Sequence, residues 1–124
     1  MESILVVDDS ATARMVIKRN LEMMGFAECE ILEAAHGKEA LSAMAKKLPD
    51  LVLSDIHMPQ MDGLLFLKWV KGNKKLASVP IIFVTSGGNP AREQELLDVG
   101  AVAVLRKPLS PEALFPVLES IGVA

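Results

Sequence analysis

The sequence predicts a doubly wound α/β fold, in which one parallel sheet carries helices on both faces. Two observations support this class. Five short apolar runs recur along the 124 residues, and segments with apolar residues at helical spacing lie between them. Strict alternation of strand and helix is typical of parallel sheets with right-handed crossovers, which place helices on both faces. The length suits one domain, so we expect residues 1–124 to form a single unit.

The apolar runs are rich in branched residues and are too short for typical helices. Several are apolar at consecutive positions, as in strands that a parallel sheet buries on both faces. Cys29 and Glu30 weaken the second run, which favours an edge position for that strand. The predicted strands span residues 4–7, 30–32, 51–53, 81–84 and 102–105.

Helix start and stop signals agree with the segments between these runs. Asn89 and Ser110 are each followed by proline, which is typical of an N-cap and the first helical position. Gly25 and Gly100 lie where the first and fourth helices should end. The predicted helices span residues 11–24, 38–47, 64–71, 91–99 and 111–121.

The loop after the third strand contains several turn signals. Asp62 precedes a glycine there and is expected to act as a turn or helix-cap residue. We expect Met58 and Met61 to be partly exposed in this loop. Trp69, on the third predicted helix, is expected to pack against the rest of the domain.

Composition and charge exclude several classes of function. The net charge is −3 and no basic stripe is visible, which argues against nucleic acid as a partner. No apolar run approaches the ~20 residues that a membrane span needs, so no membrane partner is expected. The N-terminus has no basic leader followed by a long apolar stretch, and Cys29 is the only cysteine. These features predict a cytoplasmic protein.

Polar side chains gather where the predicted strands end. Asp8 and Asp9 follow the first strand, Asp55 the third, Thr85 ends the fourth, and Lys107 follows the fifth. Ligands of open parallel sheets bind outside the carboxyl ends of the strands, where the strand order reverses. If the strand order is 2-1-3-4-5, the first and third strands are neighbours at that point. The three carboxylates should then converge.

Clustered carboxylates repel one another and raise one another's pKa unless a cation is present. Lys107 is one candidate cation and a hard divalent ion is the other. Mg²⁺ suits the cluster because it binds through one or two carboxylates, keeps waters and accepts phosphate oxygens as further ligands. A metal, a lysine and a hydroxyl around one carboxylate form an arrangement for phosphoryl transfer, with Asp55 as the nucleophile.

Four segments together resemble the receiver domains of two-component signalling, and among them the single-domain chemotaxis type. The resemblance covers essentially the whole chain, and its motifs occur in the family's order. It implies a flavodoxin-like fold with strand order 2-1-3-4-5. The matching segments are LVVDDS (5–10), LVLSDIHMPQMDG (51–63), VTS (84–86) and LRKP (105–108).

The resemblance implies a Mg²⁺ site made of side chains and one backbone group. Asp9 and Asp55 would bind the metal directly, and Asp8 would hold one of its waters. The backbone carbonyl of His57 would supply another ligand. We also hypothesise that the His57 side chain tunes the lifetime of the phosphorylated state, against the simpler interpretation of a solvated imidazole.

The resemblance also implies how the phosphoryl group is handled. Asp55 would be the phosphoacceptor, Thr85 would hydrogen-bond one phosphoryl oxygen, and Lys107 would pair with another. The Lys107–Pro108 bond is cis in many members of the family. The phosphodonor would be the phosphohistidine of a histidine kinase, and a downstream protein would be the target.

One position departs from the family pattern. Many receivers carry an aromatic residue three positions before the site lysine, where this chain has Val104. The relay to the output face must therefore differ, although we still expect output from the fourth helix, fifth strand and fifth helix. The 86–90 loop contains two glycines and could move easily when Thr85 is drawn inward.

Structural explanations compete for each of these residues. Asp8 and Asp9 could be an acidic pair at a helix N-terminus, stabilised by the helix dipole. Asp55 could begin a turn, Thr85 could be a turn residue, and Lys107 could be a surface lysine. Their joint position at the strand ends favours the functional interpretation.

Three functions remain in competition. The first is a phosphoryl-accepting switch, which is not an enzyme beyond catalysing its own phosphorylation and dephosphorylation. Its output would be protein binding, unless the chain is a piece of a larger regulator. The second is a degenerate receiver that serves only as an interaction module. The third is an aspartyl-phosphate phosphatase, but such enzymes commonly place a second Asp where this chain has His57.

Overall fold

The computed structural model describes residues 1–122, and its five strands confirm the predicted doubly wound sheet. The strands are β1 (Ser3–Val7), β2 (Glu30–Ala34), β3 (Leu51–Ser54), β4 (Ile81–Thr85) and β5 (Ala103–Arg106). All neighbouring pairs are parallel, and the order is β2-β1-β3-β4-β5. The second strand lies at an edge, as its polar residues predict, but it extends two residues beyond its predicted end.

Each strand is followed by a helix, and every helix begins at a capping side chain. The helices are α1 (Ala11–Leu21), α2 (Gly37–Lys46), α3 (Gly63–Lys71), α4 (Pro90–Val99) and α5 (Pro111–Ser120). Asn89 and Ser110 cap α4 and α5 as predicted, and Asp62 caps α3 by accepting from the N–H of Leu65. No helix within residues 1–122 has the length and apolar character needed to cross a bilayer.

The end of the first helix differs from its prediction. The α-helical hydrogen bonds of α1 stop at Leu21, and a π-helical turn, Glu22–Phe26, follows. Gly25 lies inside this turn with a φ of 99°, a left-handed conformation that glycine adopts without strain. Gly25 therefore ends the helical segment, as predicted, but the residues that lead into it form a π-helical turn and not α-helix.

The sheet separates two apolar cores. Successive side chains of a strand point to opposite faces, so β1 supplies Leu5 and Val7 to one core and Ile4 and Val6 to the other. Helices α2, α3 and α4 cover the first core, and α1 and α5 cover the second. Every residue of β1, β3 and β4 is buried, which explains why these strands are almost continuously apolar.

Three expectations about exposure were wrong. Met58 and Met61 are buried, and Met61 packs so closely on Gly37 that a Cβ there would lie 2.8 Å from the Met61 side chain. Trp69 is 58% exposed, because α3 turns Phe66 and Val70 into the core and leaves position 69 on the solvent side. Local sequence does not decide these positions, since they depend on how α2 and α3 pack.

The β1–β3 register sets the geometry of the carboxyl edge. Val7 pairs with Ser54, so Asp8 and Asp55 follow their strands at the same level. At the opposite edge the Asp50 carboxylate accepts hydrogen bonds from the backbone N–H groups of Glu2 and Ser3, at 2.7 and 3.0 Å. These two bonds, that from Glu2 first, hold the pKa of Asp50 below its usual value of 3.8.

We expect Asp50→Ala to lower the free energy of unfolding by up to about 1 kcal/mol at neutral pH, since solvent screens this exposed group. A depressed folded-state pKa gives stability that is present above the unfolded pKa and lost as pH falls through the folded value. The difference between wild type and variant should therefore shrink below the usual pKa of 3.8. Urea unfolding followed by circular dichroism across that range measures it, and a difference that grows in acid would contradict this account.

Candidate metal and phosphoacceptor site

The sequence-predicted acidic residues meet at the carboxyl edge of the sheet. One carboxylate oxygen from each of Asp8, Asp9 and Asp55 lies within 4.8 Å of the others. Asp8 follows β1 and Asp55 follows β3, and the two strands are neighbours. The structure thus brings together the three side chains that the strand ends predicted would converge.

Asp8 is the buried member of the cluster, with its side chain only 2% exposed. Its Oδ1 accepts a hydrogen bond from the N–H of Ser10 at 3.0 Å, and its Oδ2 accepts one from Nζ of Lys107 at 3.0 Å. Its backbone carbonyl accepts from Nη1 of Arg14 at 2.6 Å. These contacts fix both carboxylate oxygens, while Asp9 is exposed at the rim of the cluster.

Asp55 is held by one oxygen and open at the other. Its Oδ1 accepts from the N–H of Ile56 at 2.7 Å, and its own N–H donates to the carbonyl of Val7 at 2.8 Å. Its Oδ2 lies 3.5 Å from Nζ of Lys107, and the side chain is 13% exposed. A carboxylate with one fixed oxygen and one partly accessible oxygen beside a cation is suited to act as a nucleophile.

Lys107 is the cation of the cluster. The Lys107–Pro108 bond is cis, and the Lys107 N–H donates to the carbonyl of Thr85 at 2.8 Å, which ties this loop to β4. Partial burial lowers the pKa of the Lys107 ammonium, but the hydrogen bond to Asp8 and the charge of Asp55 outweigh burial, so the pKa is raised. The side chain is therefore positively charged and opposes the repulsion among the carboxylates.

Thr85 ends β4 beside the cluster but does not bond to it. Its side chain is buried, and its Oγ1 accepts a hydrogen bond from the N–H of Gly87 at 3.2 Å. In the part of the chain that the structure describes, no hydrogen bond joins this hydroxyl to Asp55 or Lys107. The hydroxyl only accepts in this bond, so its own proton remains available for the predicted contact with a phosphoryl oxygen.

The loop after Asp55 is folded tightly against the sheet. The N–H of Gly63 donates to the carbonyl of Ile56 at 2.8 Å, and a Cβ on Gly63 would lie 2.8 Å from the Phe83 ring. His57 is exposed on this loop, and among residues 1–122 its backbone carbonyl accepts no hydrogen bond. The carbonyl is thus available as a ligand, and its metal role stays a prediction.

Two residues that stabilise the site without belonging to the acidic cluster were not predicted from the sequence. Arg14 on α1 donates two hydrogen bonds, from Nη1 to the carbonyl of Asp8 and from Nε to Oε1 of Glu33 at 3.0 Å. The Ser54 hydroxyl donates to the carbonyl of Asp55 at 2.9 Å. Nothing in the spacing of the sequence indicates the contacts of Arg14, because they depend on the approach of α1 to β2.

The donor set fits a hard divalent ion. Three carboxylates within 4.8 Å supply only oxygen ligands, one is partly and one fully accessible, and the single lysine cannot neutralise all three charges. Mg²⁺ binds such sites through a few carboxylate or carbonyl oxygens and keeps waters for the remaining positions. The residues present therefore match the metal that the resemblance implies.

Comparison with known proteins agrees with the fold and the acidic cluster. The sequence model of the response regulator receiver domain matches residues 4–119. A chemotaxis protein CheY homolog of Campylobacter jejuni is 40% identical over 119 residues, which cover 95% of this chain and 90% of that protein. CheY1 of Helicobacter pylori is 35% identical, covering 95% of this chain and 94% of that protein.

Solved structures give the same result. The chemotaxis response regulator CheY4 of Vibrio cholerae superimposes with a TM-score of 0.83 at 36% sequence identity, and the match covers 98% of each chain. In the receiver family an acidic pocket binds Mg²⁺, and the Asp8, Asp9 and Asp55 cluster is a pocket of that kind. By sequence model, sequence identity and fold, the chain belongs to the response regulator receiver domain family.

Proposed function

We propose that residues 1–124 act as one phosphoryl-accepting switch in which Asp55 receives the phosphoryl group from the phosphohistidine of a histidine kinase. The observation that carries this proposal is the position of Asp55 Oδ2, whose only partner among the described residues is the Lys107 ammonium at 3.5 Å, within a three-carboxylate cluster. The same family membership favours a cytoplasmic signalling role, without nucleic acid as a direct partner.

The chemistry is a displacement at phosphorus. Oδ2 of Asp55 forms a bond to phosphorus as the bond to the donor imidazole nitrogen breaks, and the imidazole keeps the electron pair. Lys107 pairs with a phosphoryl oxygen, and Thr85 donates its hydroxyl proton in a hydrogen bond to another. Mg²⁺, held by Asp9, Asp55 and the His57 carbonyl with Asp8 on one of its waters, would supply positive charge that lets an anionic donor approach the carboxylates.

A donor protein would find an apolar surface next to this site. A groove of about 310 Å³ adjoins Lys107 between α1 and the loop that precedes α5. Its apolar lining includes Val16, Ile17 and Leu109, and Val16 is largely exposed. An apolar groove that adjoins Lys107, the lysine beside Asp55, supports the proposal of a protein donor as well as small phosphodonors.

Acetyl phosphate with Mg²⁺ should add one phosphoryl group to the wild-type protein, and Asp55→Asn should abolish the addition. Intact-mass spectrometry measures the modification, and beryllium fluoride monitored by NMR gives an independent readout. Chelation of Mg²⁺ should prevent modification of the wild type. Failure of the wild type to react would favour the degenerate interaction module, and turnover of a small phosphomonoester with release of phosphate would favour the phosphatase.

His57 is placed to influence hydrolysis of the phosphorylated state. It is exposed two residues after Asp55, and its side chain makes no hydrogen bond within the described residues. We therefore propose that the exposed ring affects how water reaches a phosphoryl group on Asp55.

We expect His57→Ala to speed dephosphorylation by about threefold to tenfold, a barrier change of no more than about 1.4 kcal/mol. His57→Gln, which keeps a polar side chain without the imidazole ring, is the matched control. Phosphate release from the acetyl-phosphate-treated proteins at neutral pH gives the rates. Identical rates for all three proteins would show that only the His57 carbonyl matters.

A chain of contacts leads from Thr85 to the face formed by α4 and β5. The N–H of Gly87 donates to the Thr85 hydroxyl. Gly87 also packs closely against Arg106, since a Cβ on Gly87 would lie 3.0 Å from Nε of Arg106. Nη1 of Arg106 donates to Oε1 of Glu93 on α4 at 2.9 Å. Movement of Thr85 toward the phosphoryl group would release this loop and disturb the Arg106–Glu93 ion pair.

Glu93 makes this ion pair sensitive to movement. Its side chain is largely buried, and its Oε2 has no hydrogen-bond partner among the described residues. A buried carboxylate oxygen without a partner is costly, so a small loop movement that offers a donor changes its energy. This gives a route to the output face that does not need an aromatic residue at Val104.

In Glu93→Gln we expect beryllium fluoride still to bind, while the structural change that it causes extends less far from Asp55. In the wild type, amide chemical-shift changes should extend from Thr85 through α4. In Glu93→Gln those on α4 should fall by about half or more, because replacing the charged partner weakens the ion pair. Glu95→Gln, an exposed change on the same helix, is the control. Equal shift maps for wild type and Glu93→Gln would exclude this relay.

A further inference from the structure

An exposed apolar surface lies at the corner where α2 and α3 end. Trp69 is 58% exposed, Leu65 is 45% exposed and Leu48 is 49% exposed. Leu48 precedes β3, whereas Asp55 follows it, so this corner is displaced from the phosphoacceptor toward the opposite edge of the sheet. We call these three residues and their surroundings the Trp69 surface. Large exposed apolar residues in contiguous groups are typical of interaction sites.

The Trp69 surface contains two grooves that share Trp69 and Asn73. The volumes are about 640 Å³ on the α3 side and about 550 Å³ on the α2 side. The Trp69 side chain therefore stands between two open concavities, each large enough for several side chains. The first is also lined by Leu65, Lys68, Gly72 and Lys74, and the second by Leu41, Met44, Ala45, Leu48, Lys75 and Leu76.

Lysines supply all the formal charge of these grooves. Lys68, Lys74 and Lys75 line them, and no carboxylate does. None of the three forms an ion pair within residues 1–122, as is true of most lysines and arginines in this part of the chain. The whole chain has a net charge of −3, so this positive corner is a local separation of charge.

The packing of the domain does not account for this arrangement. Helix α3 already buries Leu64, Phe66, Leu67 and Val70, so the core does not need Trp69. Its neighbours Leu65 and Lys68 are exposed on the same side of the helix. An exposed tryptophan between grooves with a positively charged rim has the composition of an interface centre, in which aromatic anchors carry most of the binding energy.

We propose that the Trp69 surface binds an acidic segment of a partner protein, which places apolar side chains in the two grooves and carboxylates against Lys68, Lys74 and Lys75. Two concave grooves can receive the protruding side chains of a peptide, whereas a flat lipid surface would leave them unfilled. Three lysines around an apolar centre are too few for a phosphate-backbone footprint. No residue of α4 or β5 lines the two grooves, so this contact does not use the output face proposed above.

The sequence provides its own reporter for the test. Trp69 is the only tryptophan, and the chain has no tyrosine, so intrinsic fluorescence reports on this surface alone. The probes are three synthetic helical peptides: one with leucines at helical spacing among glutamates, one with lysines replacing the glutamates, and one with serines replacing the leucines. Vesicles of phosphatidylglycerol are the fourth probe.

We expect a saturable blue shift of Trp69 emission with the acidic leucine peptide and none with the other two peptides. The double change Lys74→Glu and Lys75→Glu should weaken binding on the order of tenfold or more, which is about 1.4 kcal/mol. Lys18→Glu with Arg19→Glu, an equal charge change on α1 at the opposite face of the sheet, should leave the affinity unchanged. Trp69→Ala, followed by NMR, should abolish binding while the amide spectrum shows an intact fold.

Three outcomes would overturn the proposal. Equal response to the acidic and basic peptides would show a nonspecific apolar surface. A response to the vesicles alone would assign the surface to an anionic membrane. A concentration-dependent shift without any probe, with a dimer in sedimentation, would make a second copy the occupant. Acetyl phosphate labelling of Asp55 is measured separately, so failure here leaves the phosphoacceptor proposal untouched.

Discussion

The mutual repulsion of three carboxylates at one edge of the sheet is the constraint on which the site depends. Asp8 is buried, and a buried carboxylate remains charged only when cations or hydrogen-bond donors stabilise it. Lys107 provides that cation, and its position depends on the loop tied to Thr85 at the end of β4. The cluster thus needs β1, β3 and β4 in their observed register, and it leaves a charge imbalance that a divalent ion can fill.

Much of the fold could be predicted because its signals are local. Strands buried on both faces read as short apolar runs, and the caps at Asn89 and Ser110 need only a side chain three residues from a free N–H group. The exposure of Trp69 and the burial of Met61 could not be predicted, because each depends on the packing of α2 against α3. Amphipathic spacing indicates that a helix has an apolar face but fixes its orientation only approximately.

The candidate site likewise contains residues whose positions could be predicted from the sequence and residues whose contacts could not. Its central residues stand at strand ends, and parallel topology brings strand ends together, so their meeting could be predicted once the strand order was assumed. Arg14 and the Arg106–Glu93 pair could not be predicted, since their contacts join separate elements and leave no periodic pattern. Yet these contacts hold the backbone of Asp8 to α1 and join β5 to α4.

Charge is distributed so that two binding events need not interfere. A partner with carboxylates is repelled by Asp8, Asp9 and Asp55 but attracted by the lysines of the Trp69 surface. Leu48 of the Trp69 surface precedes β3 and Asp55 follows it, so a four-residue strand, about 13 Å long, separates them. The screening length at physiological ionic strength is about 8 Å, so the acidic cluster weakens such a contact little. If both proposals hold, a partner on the Trp69 surface would stay bound whether or not Asp55 carries a phosphoryl group.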